Sequence, residues 1–187
     1  PLKGKSVLFV LAGRNFQERE YLVPRLALEA WGADISVAGP GRDECVGAQG
    51  LRVAPDATHR ESDASAFGAV VFVGGEGARS LASCKVCQGI ARKTYETKKV
   101  LAAICVAPSI LANAHLLSGK QAVAWHTELA NLRKQGARVT RHPVERDENI
   151  VTAAGPRDAD AFAGEIRAAI LGEKKIEMTV ASRAEAS

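Results

Sequence analysis

Along the chain, short runs of consecutive apolar and β-branched residues alternate with longer stretches in which apolar positions recur every three or four residues. That alternation predicts an α/β protein, a mostly parallel sheet covered by helices. Ser6 to Leu11 (SVLFVL) is continuously apolar, as a strand buried on both faces must be. A helix is predicted from Gln17 to Trp31, ended by Gly32, followed by a strand over Ala33–Ala38 and a turn at Gly39-Pro40-Gly41. The polar, Gly- and Pro-punctuated region from Cys45 to Asp63 reads as a short hairpin and a loop. Ala69–Val73 is a third strand, stopped by Gly74-Gly75, and Cys84–Thr97 a helix. Val100–Ile104 is a fourth strand, Ala107–Ala114 a helix, and Ala122–Trp125 extended. A helix over Glu128–Gln135 leads to two or three short strands between Ala137 and Ala153, then an amphipathic helix over Asp158–Leu171. The charged tail of residues 172–187 is expected to fray or to pack as a partner arm. No repeat or second domain interrupts this order, so a single domain over residues 1–187 is expected.

Composition narrows the function. The 187 residues are 47% hydrophobic and 25% charged, an ordinary globular mixture with enough length for a real core. No apolar run approaches the roughly 20 residues that cross a bilayer, and the first residues lack an export signal, so a cytoplasmic protein with no membrane partner is expected. The net charge is +4, but Lys and Arg are scattered among Asp and Glu. Two Trp, two Tyr and five Phe offer little for stacking on bases, so no nucleic-acid partner is expected.

Four cysteines, Cys45, Cys84, Cys87 and Cys105, need separate readings. Cys84-Lys85-Val86-Cys87 has no second Cys or His pair at zinc-site spacing, so no metal is expected. It also does not follow a strand directly, as a thioredoxin-like dithiol would, so two thiols in or beside a helix is the reading here, with a redox Cys-x-x-Cys site as the alternative. Cys105 differs. In Lys99–Ala114, KVLAAICVAPSILANA, a strand delivers the chain to Cys105 and a helix departs almost at once. A side chain there stands at the carboxyl end of a strand, where open α/β sheets place ligands. The amides at the helix start favour thiolate, the reactive form, and the Val106 amide is placed to meet an oxyanion. The alternative is a buried cysteine acting as a small hydrophobe. Gly74 and Gly75 end a strand and let backbone amides come close to an anion. Asn15 with Glu18 three residues on reads as a helix N-cap and its capping partner. Glu18 and Glu20, taken alone, read as a solvated helix start. Pro24 cannot donate to the carbonyl of residue 20, so irregular backbone is expected there.

The segment A-A-I-C-V-A-P resembles the nucleophile segment of the ThiJ/PfpI superfamily. V-L-F-V-L-A-G, N-F-Q-E-R-E-Y-L-V-P, V-V-F-V-G-G, A-V-A-W-H and A-A-G-P resemble further segments of that family in the same order, across nearly the whole chain. The resemblance implies a three-layer, flavodoxin-like fold of the class I glutamine amidotransferase kind. By position it implies that Glu20 faces Cys105, that His126 takes part in proton transfer, and that Gly74, Gly75 and Val106 bind the substrate oxygen. His59, His115 and His142 gain no support and are expected at the surface or in packing. The family's peptidase branch carries histidine after the cysteine, where this chain has Val106, so proteolysis is not expected. Val73 and Ala154 also depart from the family pattern.

What the resemblance implies is a cofactor-independent enzyme acting on small reactive carbonyls, glyoxalase III-like or deglycase-like, with a small carbonyl or a glycated protein as partner. An oxidative-stress sensor or chaperone acting through Cys105, and a hydratase or other cysteine-dependent hydrolase, are the alternatives. A homodimer or higher homo-oligomer is expected on the same ground.

Overall fold

The computed structural model describes residues 1–177. Twelve strands and six α-helices follow one another along it. The strands are β1 (Ser6–Val10), β2 (Arg14–Phe16), β3 (Asp34–Gly39), β4 (Cys45–Gly47), β5 (Arg52–Val53), β6 (Ala57–Thr58), β7 (Ala69–Phe72), β8 (Val100–Ile104), β9 (Gln121–Ala122), β10 (Arg138–Val139), β11 (Val144–Asp147) and β12 (Ile150–Ala153). The helices are α1 (Glu18–Ala30), α2 (Ala78–Leu81), α3 (Lys85–Glu96), α4 (Pro108–Asn113), α5 (Leu129–Lys134) and α6 (Ala159–Ile170). The central sheet has the order β11-β12-β8-β7-β1-β3-β6, and only the β11–β12 pair is antiparallel.

The two faces of the sheet are separate cores. Val7 and Phe9 of β1 face one, with α1 and α6, while Leu8 and Val10 face the other, with α3, α4 and α5. This is the period-two alternation of a strand, with apolar residues on both sides because both sides are covered. It explains the unbroken apolar run.

From β1 the chain builds outward to β3 and β6, then crosses back to β7 and builds the other way through β8 and β12. The reversal lies between β1 and β7. Connections on either side of such a point leave in opposite directions and open a crevice at the strands' carboxyl ends, where doubly wound sheets hold ligands. Gly74, Gly75 and Cys105 follow the carboxyl ends of β7 and β8.

Several expectations need correcting. The N-cap of α1 is Gln17, whose side chain accepts from the Glu20 amide at 3.0 Å; Asn15 lies in β2 with φ 57°. Glu18 is buried, not solvated, and its Oε1 accepts from the Gln49 amide at 2.5 Å. A cap three residues from an acidic group can be read from sequence, but the loop that covers that group cannot. Helix α1 runs unbroken through Pro24, so the missing amide does not disrupt the backbone at Glu20. The extended stretch predicted over Ala122–Trp125 narrows to β9, and His126 opens a 3-10 turn. Of the tail, residues 173–177 pack back on the body: the Glu173 carbonyl accepts from Arg146, Lys175 pairs with Glu145, and the Ile176 amide donates to Glu165. The remainder of the predicted tail, 178–187, lies outside the described residues.

Candidate active site

Cys105 occupies a backbone conformation that few side chains adopt. Its φ is 65°, in the left-handed region that costs a non-glycine residue about 1–2 kcal/mol. The surroundings hold it there. Its amide donates to the Ala153 carbonyl at 3.0 Å, and its own carbonyl accepts from the Trp125 amide at 2.8 Å. Pro108 opens α4 three residues on, with φ preset for a first helical turn. Strand, strained residue and immediate helix form a sharp elbow at Cys105.

Glu20 meets the elbow from α1. It is fully buried. Tyr21, beside it, packs edge-on against Phe9 and Phe16 with ring centroids 5.7 and 5.8 Å away, which anchors the first turn of α1. The contact between the two elements passes through Gly74. A Cβ there would lie 2.4 Å from Glu20 Oε2 and 2.7 Å from Cys105 Cβ, so only glycine admits the carboxyl and the elbow together. Gly75, at φ 100°, approaches the backbone of Asn15–Gln17 just as closely, and the Gln17 amide donates to the Gly74 carbonyl at 3.0 Å.

Burial raises the Glu20 pKa to about 7. The Cys105 thiol and the Gly74 amide face the carboxyl and temper that rise, but neither meets it at full hydrogen-bond geometry, and both oxygens remain without a partner. For Cys105, burial comes first and pushes the thiol up, and the negative charge of Glu20 pushes it further; the amides of Gly75 and Val106 pull it down. The expectation of a sulfur made anionic by the helix start therefore needs correction. Helix α4 has six residues, its field is small, and two individual amides do the stabilising. When Glu20 takes up the proton, its charge no longer adds to the effect of burial on the sulfur. Cys105 is 7% exposed, so it lies in the core yet is reachable.

Five of the residues singled out in the sequence converge here: Cys105, Glu20, Gly74, Gly75 and Val106. His126 opens the 3-10 turn that follows Trp125. It is exposed, its ring 4.9 Å from that of Trp125, the residue whose amide pins Cys105. The Trp125 ring in turn lies over Gly155, where a Cβ would sit 2.9 Å from ring carbons. The A-A-G-P segment thus supplies the small residue under the rim. Behind the elbow is a polar cluster that sequence reasoning missed. Glu128 accepts from Ser109 of α4 at 3.0 Å and pairs with Arg79 at 2.7 Å, and Arg79 also reaches Glu76 and Thr127. It ties the loop after β7 to the turn carrying His126. Nothing in the local pattern signals it, because its members are spread from 76 to 128. Among the described residues, no group of three or more His, Cys, Asp or Glu is arranged to hold a metal ion. No helix among them is long and apolar enough to cross a membrane.

The chain is similar to several known proteins. A protein of Bacillus subtilis named putative cysteine protease YraA is 31% identical over 82% of this chain and 91% of its own. Deglycase TK1284 of Thermococcus kodakarensis is 27% identical over 83% of this chain and 93% of its own. The crystal structure of a ThiJ/PfpI domain protein from Brachyspira murdochii superposes with a TM-score of 0.88 at 30% identity, covering 92% of this chain and 99% of that one. Residues 5–169 match the model of the DJ-1/PfpI family, and the chain belongs to that family.

Proposed function

We propose that the protein is a cofactor-independent enzyme that acts on small reactive carbonyls through Cys105, converting a 2-oxoaldehyde such as methylglyoxal to the 2-hydroxy acid. The observation that carries this reading is the buried, partnerless carboxyl of Glu20 held against a cysteine on a strained elbow. A carboxyl near pKa 7 can both take and return a proton at neutral pH. Relatives named deglycases support a deglycase-like role in the same family.

As Sγ attacks the aldehyde carbon, the thiol proton passes to Glu20, and the new alkoxide faces the amides of Gly75 and Val106. The alkoxide recovers the proton, giving a hemithioacetal and a Glu20 carboxylate. Glu20 then removes hydrogen from the carbon bearing sulfur and returns it to the adjacent carbon, while His126 on the rim moves protons at the substrate oxygens. The product is a thioester of the hydroxy acid. Water splits it, releasing the acid and restoring the thiol, so that one water is added overall and no electrons leave the substrate. Val106 in place of a histidine leaves no imidazole beside the sulfur, which argues against peptide hydrolysis although one relative is named a putative cysteine protease.

Lactate formation from methylglyoxal by the purified protein tests the reading. Turnover should be abolished in Cys105→Ala, fall at least a hundredfold in Glu20→Gln, and fall less in His126→Gln. No turnover above the blank overturns it. The same carboxyl, able to carry a proton near neutral pH, favours a second reading, a peroxide sensor in which two peroxides convert Cys105 to a sulfinate that protonated Glu20 hydrogen-bonds. Selective gain of two oxygens at Cys105 without carbonyl turnover distinguishes it.

A further inference from the structure

Cys84 and Cys87 lie outside the site described above, and the structure gives them an arrangement the sequence did not reveal. Cys84 is the N-cap of α3, with extended backbone (φ −74°, ψ 114°), and its side chain makes no capping hydrogen bond. An N-cap side chain normally accepts from the second or third amide of the helix. A thiol is a poor acceptor, and the Cys84 side chain makes no such bond to this twelve-residue helix. Cys84 is partly exposed, whereas Cys87, one turn into the helix, is fully buried. The two thiols are close enough to interact, and that contact, after burial, holds the Cys87 proton on.

An independent observation concerns His59, a buried residue from the distant loop after β6. Its Nε2 lies 2.9 Å from the Leu11 carbonyl and its Nδ1 3.5 Å from Cys87 Sγ. A carbonyl can only accept, so Nε2 carries the hydrogen. Burial keeps the ring neutral, leaving the Nδ1 lone pair aimed at the Cys87 thiol. A base has thus been fixed on the inner sulfur of a Cys-x-x-Cys whose outer sulfur faces solvent at a helix start.

We propose that Cys84 and Cys87 form a second, redox-active centre that exchanges with low-molecular-weight disulfides, with Cys84 attacking, Cys87 resolving, and His59 relaying the proton. Cys84 thiolate attacks one sulfur of the disulfide, the S–S bond breaks, and one thiolate leaves. Cys87 passes its proton to His59 Nδ1 and attacks Cys84 Sγ, expelling the second thiolate, which takes the proton from His59. The dithiol loses two electrons and the disulfide gains them, yielding one intramolecular disulfide and two free thiols. The bridge closes the four residues Cys84-Lys85-Val86-Cys87 at a helix start whose cap residue is extended. This centre does not depend on the reaction at Cys105.

The test incubates the full chain with oxidised glutathione, quenches in acid, digests with trypsin and reads the products by mass spectrometry. Cleavage at Arg79, Lys85 and Arg92 leaves residues 80–85 and 86–92 as separate peptides, so a Cys84–Cys87 disulfide appears as the linked pair. The linked pair should form in wild type and in Cys105→Ser alike, at least tenfold faster in the folded chain than in urea. Cys87→Ser should instead accumulate glutathione on Cys84, and His59→Gln should slow the second step and accumulate the same mixed disulfide. Absence of the linked pair in excess oxidised glutathione overturns the proposal. So does a pair that forms no faster folded than unfolded, or a Cys87→Ser variant that leaves Cys84 unmodified.

Discussion

Glu20 and Cys105 control each other's protons, and this has a measurable cost. Between pH 4.5 and about 7 the folded chain holds a proton on Glu20 that the unfolded chain has released. Stability therefore falls as pH rises through that window, by an amount on the order of 3 kcal/mol for a shift of this size. Glu20→Gln removes the dependence. Chemical denaturation of both proteins at pH 4.5 and pH 8 should show the variant gaining on wild type by about 3 kcal/mol at the higher pH; a difference that does not change with pH would contradict the burial argument. Gly74 tests the packing of the same pair. Its added methyl in Gly74→Ala would meet both Glu20 Oε2 and Cys105 Cβ, so activity should collapse, with a loss of about 2 kcal/mol in stability. Wild-type turnover in that variant would show that the three residues do not work as one unit.

At the scale of elements, strong local periodicity was the most legible feature. The strand at Val100–Ile104 has its predicted limits, and the helix expected over Cys84–Thr97 loses only its two cap residues. Cys105 could be read for the same reason, since an apolar strand running into Ala-Pro and a helix forces a turn at a known place. Glu20 could not be read from spacing alone, because what buries it is Gly74, fifty-four positions away. Arg14–Phe16 and Ala57–Thr58 were missed since strands of three and two residues carry no period. Gln17 as cap was missed because Asn15 and Glu18 present the commoner signal, and the fold uses Glu18 on the Gln49 amide. Gly155 lies where a strand end meets the rim turn. In Gly155→Ala the Trp125 ring must move. Its tryptophan fluorescence should shift and turnover should fall several-fold while the fold is kept; an unchanged spectrum would mean that the rim does not rest on that glycine.

Across the whole molecule, sheet order places the crevice and the last helix closes the far edge. Arg146 of β11 and Glu165 of α6 form a buried ion pair with Nε and Oε1 2.9 Å apart, although the N–H is not aligned on that oxygen. The Ile176 amide donates to the other oxygen of Glu165. Removing one partner strands a buried charge, so Arg146→Met should destabilise the protein by about 3 kcal/mol, seen as a lower denaturation midpoint. Activity per folded molecule should be unchanged, because the pair is not part of the crevice at the strand reversal. A specific loss of turnover without a loss of stability would place that edge in the active site.

The central claim is that Glu20 restrains the Cys105 nucleophile and also performs the proton transfers. Its most direct test is the rate of iodoacetamide alkylation at Cys105, measured at pH 8 in wild type and Glu20→Gln beside lactate turnover. Loss of the carboxylate charge should free the sulfur, so alkylation should quicken by roughly tenfold for each pH unit by which its titration falls, while turnover drops. Alkylation that slows or does not change, with turnover intact, would contradict the account.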